Sequence, residues 1–349
     1  MNRIIKDLLG YMQITGRQKK NVRIFINYFL GPLLFIWVSY SIYHQVRQQP
    51  GLEKSWQHIR QSFNGAMIWN LVATILLMFA NWAIETIKWK LAVQKIQQID
   101  FFTAFKAVLS GVAVSVTTPN RVGEYLGRVL YMEDGKRIKA ISLTIAGSMS
   151  QLIITLGMGL GGLLILRWPV EHSGMISSFW IDVLLYGVIV AMIILTLFYF
   201  KLPWLVSRID RFPGNKKYNW IIEALEDFNA TLLLQLLSLS AVRFFVFIVQ
   251  YYLLFRLFDV PVSLGQCWSA VSVSFLVMAV IPTIALFTDL GLRGKVSLKL
   301  LGLFSSNSLG IGLTAVSIWF INLIIPALAG SLLILSIKKV FKNRDGSGE

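Results

Sequence analysis

The sequence predicts an all-α, polytopic integral membrane protein, and three observations lead to that fold class. Hydrophobic residues make up 56% of the 349-residue chain and charged residues only 14%, and the mean hydropathy is +0.65. Several apolar runs reach the roughly 20 residues that a helix needs to cross a hydrocarbon core about 30 Å thick. Short basic and polar stretches separate these runs, as loops separate membrane helices. This composition excludes an ordinary soluble domain.

The net charge of +16 does not indicate a nucleic-acid-binding surface, because Lys and Arg lie mostly in the short segments between apolar runs. Cys267 is the only cysteine, which excludes a disulfide within one chain. His44, His58 and His172 do not have the spacing of metal ligands. The sequence contains no nucleophile motif, Walker sequence or dinucleotide fingerprint. We therefore expect no cofactor, no metal and no catalytic residue.

Three regions are predicted along the chain. Residues 1–21 are basic and carry apolar residues at helical spacing, which indicates a cytoplasmic interfacial helix or a basic tail. Residues 22–338 form a single transmembrane domain that begins with an anchor rather than a cleaved signal, and residues 339–349 form a cytoplasmic tail. The eight apolar segments of the domain are residues 22–43, 65–89, 101–119, 140–166, 180–200, 232–258, 264–286 and 309–337.

The second apolar segment ends in a group of polar and aromatic residues. Asn81, Glu85 and Trp89 are four residues apart and share one face of a helix. Glu85 can also form an ion pair with Lys88, three residues later. A helix end with an aromatic belt at the membrane surface explains the same residues. Asn81 and Glu85 are therefore secondary candidates for a functional site.

The third apolar segment is short for a membrane span and ends in a polar break at residues 117–128. Pro and Gly disfavour a continuous helix there, and charged side chains at membrane depth are costly. The break is the first candidate for a functional site. Its candidate residues are Pro119, Arg121, Gly123, Glu124 and Arg128.

The fourth segment contains many Gly and Ser residues, which predict close helix packing. Arg243 lies inside the sixth segment, where a charge costs about 2.5 to 3.5 kcal/mol on insertion scales. We expect it to face protein or a wet cavity, and a structural salt bridge explains it equally well. Pro282 interrupts the seventh segment, and Asp289, Gly291 and Arg293 follow it.

A shift of 163 residues aligns residues 90–119 with 253–282 and superimposes Pro119 on Pro282. Each half then consists of a long helix, a short apolar segment ending in Pro, an acid, an Arg four residues after that acid, and a long helix. The i,i+4 spacing brings acid and base together on a helix. The predicted repeats are residues 65–166 and 232–337.

The distribution of Lys and Arg distinguishes two topologies. If all eight apolar segments cross the membrane, the basic residues divide almost evenly between the two sides. If the two Pro-terminated segments enter and return on one side, most basic residues lie on the side of the N-terminus, which the positive-inside rule favours. The preferred fold has six spanning helices and two re-entrant elements in an inverted repeat, with both termini cytoplasmic. Inverted repeats with broken helices are a transporter architecture.

Residues 119–128, Ile281-Pro282 and residues 289–294 resemble the transmembrane region of the lysylphosphatidylglycerol synthase family. That family includes flippase-like membrane proteins and the flippase part of multiple peptide resistance factor proteins. Its pattern has a Pro-x-x-x-Gly-Glu break with a following Arg, then a second Pro and a Gly-rich turn with an acid beside Gly-x-Arg. The likeness covers about residues 21–338.

Two departures from the family pattern are visible. Residues 282–286 read Pro-Thr-Ile-Ala-Leu where the family usually has a Pro-Gly-Gly run. Only a short tail follows Ile337, with no soluble aminoacyl-transferring domain, so we expect that this polypeptide does not perform lysyl transfer.

The resemblance implies a membrane lipid or lipid-linked headgroup translocase in the bacterial cytoplasmic (inner) membrane. The three arginines of the breaks are candidate phosphate ligands, and the two acids are candidate partners of a cationic headgroup. The expected partners are membrane lipids, with anionic and aminoacylated phospholipids as candidates, and a homo-oligomer or a separate lipid-modifying enzyme remains open. The candidate residues are Pro119, Arg121, Gly123, Glu124, Arg128, Arg243, Pro282, Asp289, Gly291 and Arg293, with Asn81 and Glu85 as secondary candidates.

Three alternatives remain open from the sequence. A membrane-embedded transferase on lipid-linked substrates is the enzymatic alternative, and the lack of a catalytic motif favours a transporter over it. A non-catalytic membrane assembly partner is the second. In the third, the Glu124–Arg128 and Asp289–Arg293 pairs only lock two hairpins, because buried charges at such breaks require partners in any case.

Overall fold

The protein is described by a computed structural model that covers residues 67–116, 118, 122–133, 135–201, 229–281 and 285–345, together with Gln57. For residues 285–288 and 336–345 it describes the backbone alone. The predicted interfacial helix or tail and the first apolar segment lie outside the described residues. So do the site candidates Pro119, Arg121 and Pro282.

The described chain is built from helices. They are α1 (Ile68–Val93), α2 (Phe101–Ser115), α3 (Gly123–Val129), α4 (Arg137–His172), α5 (Ser178–Phe200), α6 (Ala230–Leu257), α7 (Leu264–Val280), α8 (Ala285–Leu301), α9 (Ser308–Trp319) and α10 (Ile325–Asp345). A π-helical segment, Phe320–Ile324, joins α9 to α10. Within the described ranges, α1, α4, α5, α6 and the run Ser308–Leu335 are long and apolar enough to cross a membrane, and α2 and α7 are shorter apolar helices. The all-α, polytopic prediction is confirmed.

The two short helices α2 and α7 begin at equivalent points of the sequence repeat. Asp100 caps α2 by accepting a hydrogen bond from the Thr103 N–H at 3.0 Å, and hydrogen bonding to Thr103 lowers the pKa of the Asp100 carboxyl. Ser263 caps α7 in a capping box with Gln266. Asp100 and Ser263 are 163 residues apart, which is the shift found in the sequence.

Helices α2 and α3 form an antiparallel hairpin with touching backbones. A Cβ atom on Gly123 would lie 2.5 Å from the Val114 carbonyl oxygen, and one on Gly127 would overlap the Ser110 carbonyl oxygen. Because residue 123 meets 114 while 127 meets 110, the two helices run in opposite directions. Glycine is required at both positions, since any side chain would push the helices apart.

Both helical hairpins return to the end of the bundle where they began. After α3, the Glu133 N–H donates to the Gln97 side-chain oxygen at 2.9 Å, and Gln97 lies in the α1–α2 connection. After α8, the Asn307 amide donates to the carbonyl oxygens of Phe258 and Asp259 in the α6–α7 connection, at 3.1 and 2.9 Å. A re-entrant element requires this path, and its position relative to a membrane remains a prediction.

Helices α1 and α6 pack against each other in opposite directions. The Gln250 side-chain amide on α6 donates to the Thr74 carbonyl on α1 at 2.9 Å. The Lys88 ammonium on α1 donates to the Ser240 hydroxyl on α6 at 3.4 Å. Residue numbers therefore fall along α6 as they rise along α1. The hairpin that follows α1 and the hairpin that follows α6 consequently start at opposite ends of the bundle.

The last long helix of each repeat packs against the short apolar helix of the other repeat. Helix α4 packs on α7, and α10 packs on α2. A Cβ atom on Gly162 of α4 would lie 2.7 Å from the Ser269 carbonyl oxygen, and one on Gly330 of α10 would overlap the Leu109 carbonyl. The close packing predicted from the small residues of the fourth segment is present, and it joins the two halves into one bundle.

Candidate functional site

Glu85 lies at the centre of the first polar cluster. Its Oε1 accepts a hydrogen bond from Arg128 at 2.7 Å, and its Oε2 accepts one from Arg243 at 2.5 Å. The ammonium of Lys88 lies 3.0 Å from Oε2. The Glu85 side chain is only 5% exposed. One buried carboxylate is thus shared by three cations, which come from α1, α3 and α6.

Glu124 is the second acid of this cluster. It pairs with Arg128 across the i,i+4 spacing that the sequence predicted. We call Glu85, Lys88, Glu124, Arg128 and Arg243 the Glu85 cluster. Its three basic side chains face two carboxylates, so the cluster has a formal excess of one positive charge.

Arg243 is held by three groups besides Glu85. Its Nε donates to the Asn81 side-chain oxygen at 2.6 Å, and its guanidinium lies 5.3 Å from the Trp82 ring centroid and 5.8 Å from that of Phe247. Cation–π contact with desolvated rings stabilises a guanidinium by about 2 kcal/mol. Arg243 therefore faces protein, as its place in an apolar segment predicted.

The aromatic-belt alternative for the end of the second segment is wrong. Trp89 is 1% exposed, and its indole N–H donates to Thr144 at 3.1 Å. Trp82 is 8% exposed and packs in the core. The face of α1 that carries Asn81 and Glu85 points into the bundle, because α6 and α2 cover it.

The close approach of α2 and α3 positions the Arg128 side chain. A Cβ atom on Gly111 of α2 would lie 2.8 Å from the Glu124 carbonyl oxygen and 3.0 Å from the Arg128 Cγ. Because no side chain intervenes at Gly111, the Arg128 guanidinium passes across α2 and reaches Glu85 on α1. Removing the two charges from water costs several kcal/mol per ion, and the shared partners offset that cost.

The second polar cluster surrounds Arg293 on α8. Its guanidinium donates to the Tyr251 hydroxyl oxygen at 3.1 Å and to Asp289 at 3.4 Å, and it lies 6.0 Å from the Phe275 ring centroid. We call Tyr251, Phe275, Asp289 and Arg293 the Arg293 cluster. The predicted i,i+4 pair is present here too. Gly291 is exposed, and no described atom lies within 4 Å of a Cβ placed on it.

The charged site candidates that the structure describes fall into two clusters, and helix α6 contributes a residue to each. Arg243 and Tyr251 are eight residues apart, which corresponds to about 12 Å along an α-helix. The ring of Phe247, which contacts Arg243, lies 5.7 Å from the ring of Phe275 in the Arg293 cluster, centroid to centroid. An aromatic pair therefore connects the two buried arginine sites.

Sequence reasoning missed several residues of the two clusters. Lys88 was recognised as a partner of Glu85 but not as a site residue, and the Ser240 and Ser150 hydroxyls beside it, 2.9 Å apart, have no sequence signal. Tyr251 had only an indirect sequence signal. A shift of 165 residues aligns Arg128 with Arg293 and aligns Glu85 with Gln250, the residue before Tyr251.

Each cluster contains a buried N–H donor that makes no hydrogen bond to a described residue. The Nε atoms of Arg128 and Arg293 and the Nδ2 atom of Asn81 have no hydrogen-bond partner among the described residues. Most buried donors in proteins are hydrogen-bonded, and the indole N–H groups of Trp82 and Trp319 also have no partner among the described residues. In the described part of the chain, no group of three or more His, Cys, Asp or Glu residues could hold a metal ion.

The geometry defines a class of protein: a polytopic membrane protein whose two oppositely directed halves each carry a helical hairpin with an acid paired to a buried arginine. A family model, the lysylphosphatidylglycerol synthase transmembrane region, matches residues 28–330. The chain belongs to that family, and the predicted family resemblance is confirmed. No curated protein matches the sequence.

Proposed function

We propose that the protein translocates the headgroup of a membrane lipid or lipid-linked molecule and that the Glu85 cluster binds this headgroup. The observation that supports the proposal is the meeting of three basic side chains with two carboxylates inside the bundle, a formal excess of one positive charge. Ionisable residues at such depth are expensive and are typical of transport pathways. Membership of a membrane family with flippase-like members agrees with this proposal.

Glu124 is the carboxylate that an arriving headgroup replaces. Its side chain is 26% exposed, whereas that of Glu85 is 5% exposed. A phosphate and a carboxylate offer similar anionic oxygens to a guanidinium, which binds both in a bidentate manner. The free Nε of Arg128 supplies an additional donor to the phosphate. Glu85 stays in place and keeps Arg128 and Arg243 oriented.

The released Glu124 carboxylate then serves a second purpose. Once it leaves Arg128, it is available to pair with a cationic group on the same headgroup. An aminoacylated phospholipid carries both a phosphate and an ammonium, and an anionic phospholipid carries the phosphate alone. The Glu85 cluster has charges for both, so these two lipid classes are the proposed cargo.

The Arg293 cluster is the proposed second binding site (station) for the headgroup on its path. It presents the same acid–arginine pair on the hairpin that enters from the other end of the bundle. The contact between Phe247 and Phe275 lies between Arg243 and Arg293, so a headgroup changes its polar partners on passing these rings. Alternating access requires two sites with opposite access, and here each site carries an acid–arginine pair.

The test of the translocation proposal uses charge-neutralised variants in liposomes with fluorescent phosphatidylglycerol. Glu124→Gln and Arg128→Gln should each slow translocation about tenfold or more, because a hydrogen bond to a charged group contributes about 1.5–3 kcal/mol. The control is Glu133→Gln, which breaks an exposed ion pair with Lys136 at 2.7 Å and should leave the rate unchanged.

Two other outcomes would redirect the proposal. If the rate per folded molecule is unchanged in both variants while Tm falls, the pair only locks the hairpin. If the purified protein forms a modified lipid when a donor molecule is supplied, the membrane transferase is the better description.

We also propose that the two hairpins are re-entrant in the bacterial cytoplasmic membrane, with both termini cytoplasmic. In a Cys267→Ser background, single cysteines at Lys136 and Asn215 should resist an impermeant thiol reagent in intact cells. Labelling of both positions from outside would restore the topology in which all eight segments cross. The cysteine-free protein is the control for background labelling.

A further inference from the structure

An apolar cleft of about 350 Å³ lies between α4, α5, α7 and α8. Its volume falls in the range of small-molecule sites, about 300–1,000 Å³. The walls are apolar side chains such as Leu166, Leu184 and Leu276, and the charged residues among them are Arg167 and Lys299. Neither the Glu85 cluster nor the Arg293 cluster contributes a residue to the cleft.

The two cations lie at one end of the cleft. Arg167 is in the last turns of α4 and pairs with Asp182 in the first turns of α5, at 3.0 Å. Lys299 is in the last turn of α8. On α7 the lining extends from Val273 to Ile281, which corresponds to about 12 Å of helix. This length is close to half of a hydrocarbon core about 30 Å thick.

Exposed aromatic side chains mark the charged end as the headgroup level. Trp168, Phe179 and Trp180 are 68%, 68% and 59% exposed at the α4–α5 connection. Aromatic residues of membrane proteins concentrate at the membrane–water interface. The other end of the cleft is lined by Val280 and Ile281, which are 67% and 43% exposed and directly precede the second hairpin turn. That end lies at acyl-chain depth.

The two basic residues of the cleft differ in their ion pairs, and this difference indicates which ligand the cleft binds. Arg167 is balanced by two acids, because it contacts Glu171 at 3.1 Å as well as Asp182. Lys299 is exposed, and among the described residues no carboxylate lies within 4.0 Å of its ammonium. The cleft therefore offers an apolar groove below a cation that is available to an anionic group.

We propose that this cleft binds one acyl chain of a phospholipid whose phosphate contacts Lys299. The acyl chain lies along α7 with its end at Ile281, next to the turn of the second hairpin. As a lipid-binding site the cleft stands independently of translocation. As the docking place of the translocated lipid, it rests on the proposed function.

Photocrosslinking of the full chain in phosphatidylcholine vesicles tests the inference. The probe is phosphatidylglycerol with a diazirine in one acyl chain, and a diacylglycerol with the same chain is the comparison. The phosphatidylglycerol probe should label residues 276–281 of α7 and 184–188 of α5. Equal labelling of all lipid-facing helices, including the exposed Val242 side of α6, would overturn the proposal.

Two matched pairs of variants sharpen this test. Leu184→Trp fills the cleft and should remove the labelling, whereas Val183→Trp, at a neighbouring position that is also 44% exposed but outside the cleft, should not. Lys299→Gln should lower phosphatidylglycerol labelling about fivefold and leave diacylglycerol labelling unchanged. Lys295→Gln, exposed one turn earlier and outside the cleft, is its control. Unchanged labelling in Leu184→Trp would overturn the cleft, and unchanged labelling in Lys299→Gln would overturn the phosphate contact.

Crosslinking reports binding without transport, so the two proposals fail separately. Loss of specific labelling with normal translocation contradicts only the cleft. Specific labelling together with a wild-type protein that moves no lipid contradicts the proposed function and leaves the cleft standing. Thermal unfolding of each variant shows that the labelled protein is folded.

Discussion

The Glu85 cluster and the Arg293 cluster contain the same acid–arginine pair in different surroundings. Arg128 reaches a carboxylate on α1, whereas Arg293 reaches the neutral hydroxyl of Tyr251 on α6. The first cluster gathers three cations around two acids, and the second pairs one arginine with one described acid on its own helix. The motif is therefore repeated, but its electrostatic environment is not.

This difference shows that the helix packed against each hairpin supplies the second partner of its arginine and thereby sets the charge of the site. A carboxylate shared by buried cations cannot be removed without leaving uncompensated charge in a medium of low dielectric constant. A hydroxyl contributes less, because its loss leaves Arg293 paired with Asp289. We infer that Glu85 holds its cations firmly in the first cluster and that Arg293 exchanges partners more easily in the second.

The largest expected effect comes from removing the charge at the centre of the first cluster. Glu85→Gln should lower the free energy of unfolding by about 3–5 kcal/mol, because three cations lose their common carboxylate. Unfolding in detergent micelles measures this loss. Asp289→Asn is the matched variant in the second cluster and should cost less. Equal losses in the two variants would remove the proposed difference between the clusters.

The second effect concerns the contact between the helices of each hairpin. Gly127→Ala should lower the free energy of unfolding by about 1–3 kcal/mol, because its Cβ would overlap the Ser110 carbonyl. Gly291→Ala in the second hairpin meets no described atom within 4 Å and should be neutral or stabilising by up to about 1 kcal/mol. The same unfolding measurement compares them. A larger loss in Gly291→Ala would show that the second hairpin is the tighter one.

The smallest expected effect comes from the hydroxyl of the second cluster. Tyr251→Phe removes the 3.1 Å hydrogen bond to Arg293 and should cost about 1 kcal/mol. A double-mutant cycle with Asp289→Asn measures how far the two partners of Arg293 depend on each other. A loss as large as that of Glu85→Gln would mean that Tyr251 anchors its cluster as firmly as a carboxylate does.

The sequence by itself determined the fold class, the approximate helix positions and the local ion pairs. Hydropathy over about 20 residues predicts membrane helices, because the hydrocarbon core imposes that length. The spacing of Glu124 and Arg128, and of Asp289 and Arg293, predicts contact because four residues make about one helical turn. The third and seventh apolar segments were predicted to begin at residues 101 and 264, where α2 and α7 begin.

Only the tertiary structure decided which local pairs acquire a distant partner. Arg128 meets Glu85 across 43 residues of sequence, and Arg243 meets Glu85 across 158. Contacts of that range depend on helix directions and on backbone approach at Gly123 and Gly127, which side-chain spacing does not encode. For the same reason Trp89 was compatible with a surface position in the sequence but is buried in the bundle. The spacing of residues along the sequence predicts which side chains share one face of a helix, and tertiary packing decides which residues that face contacts.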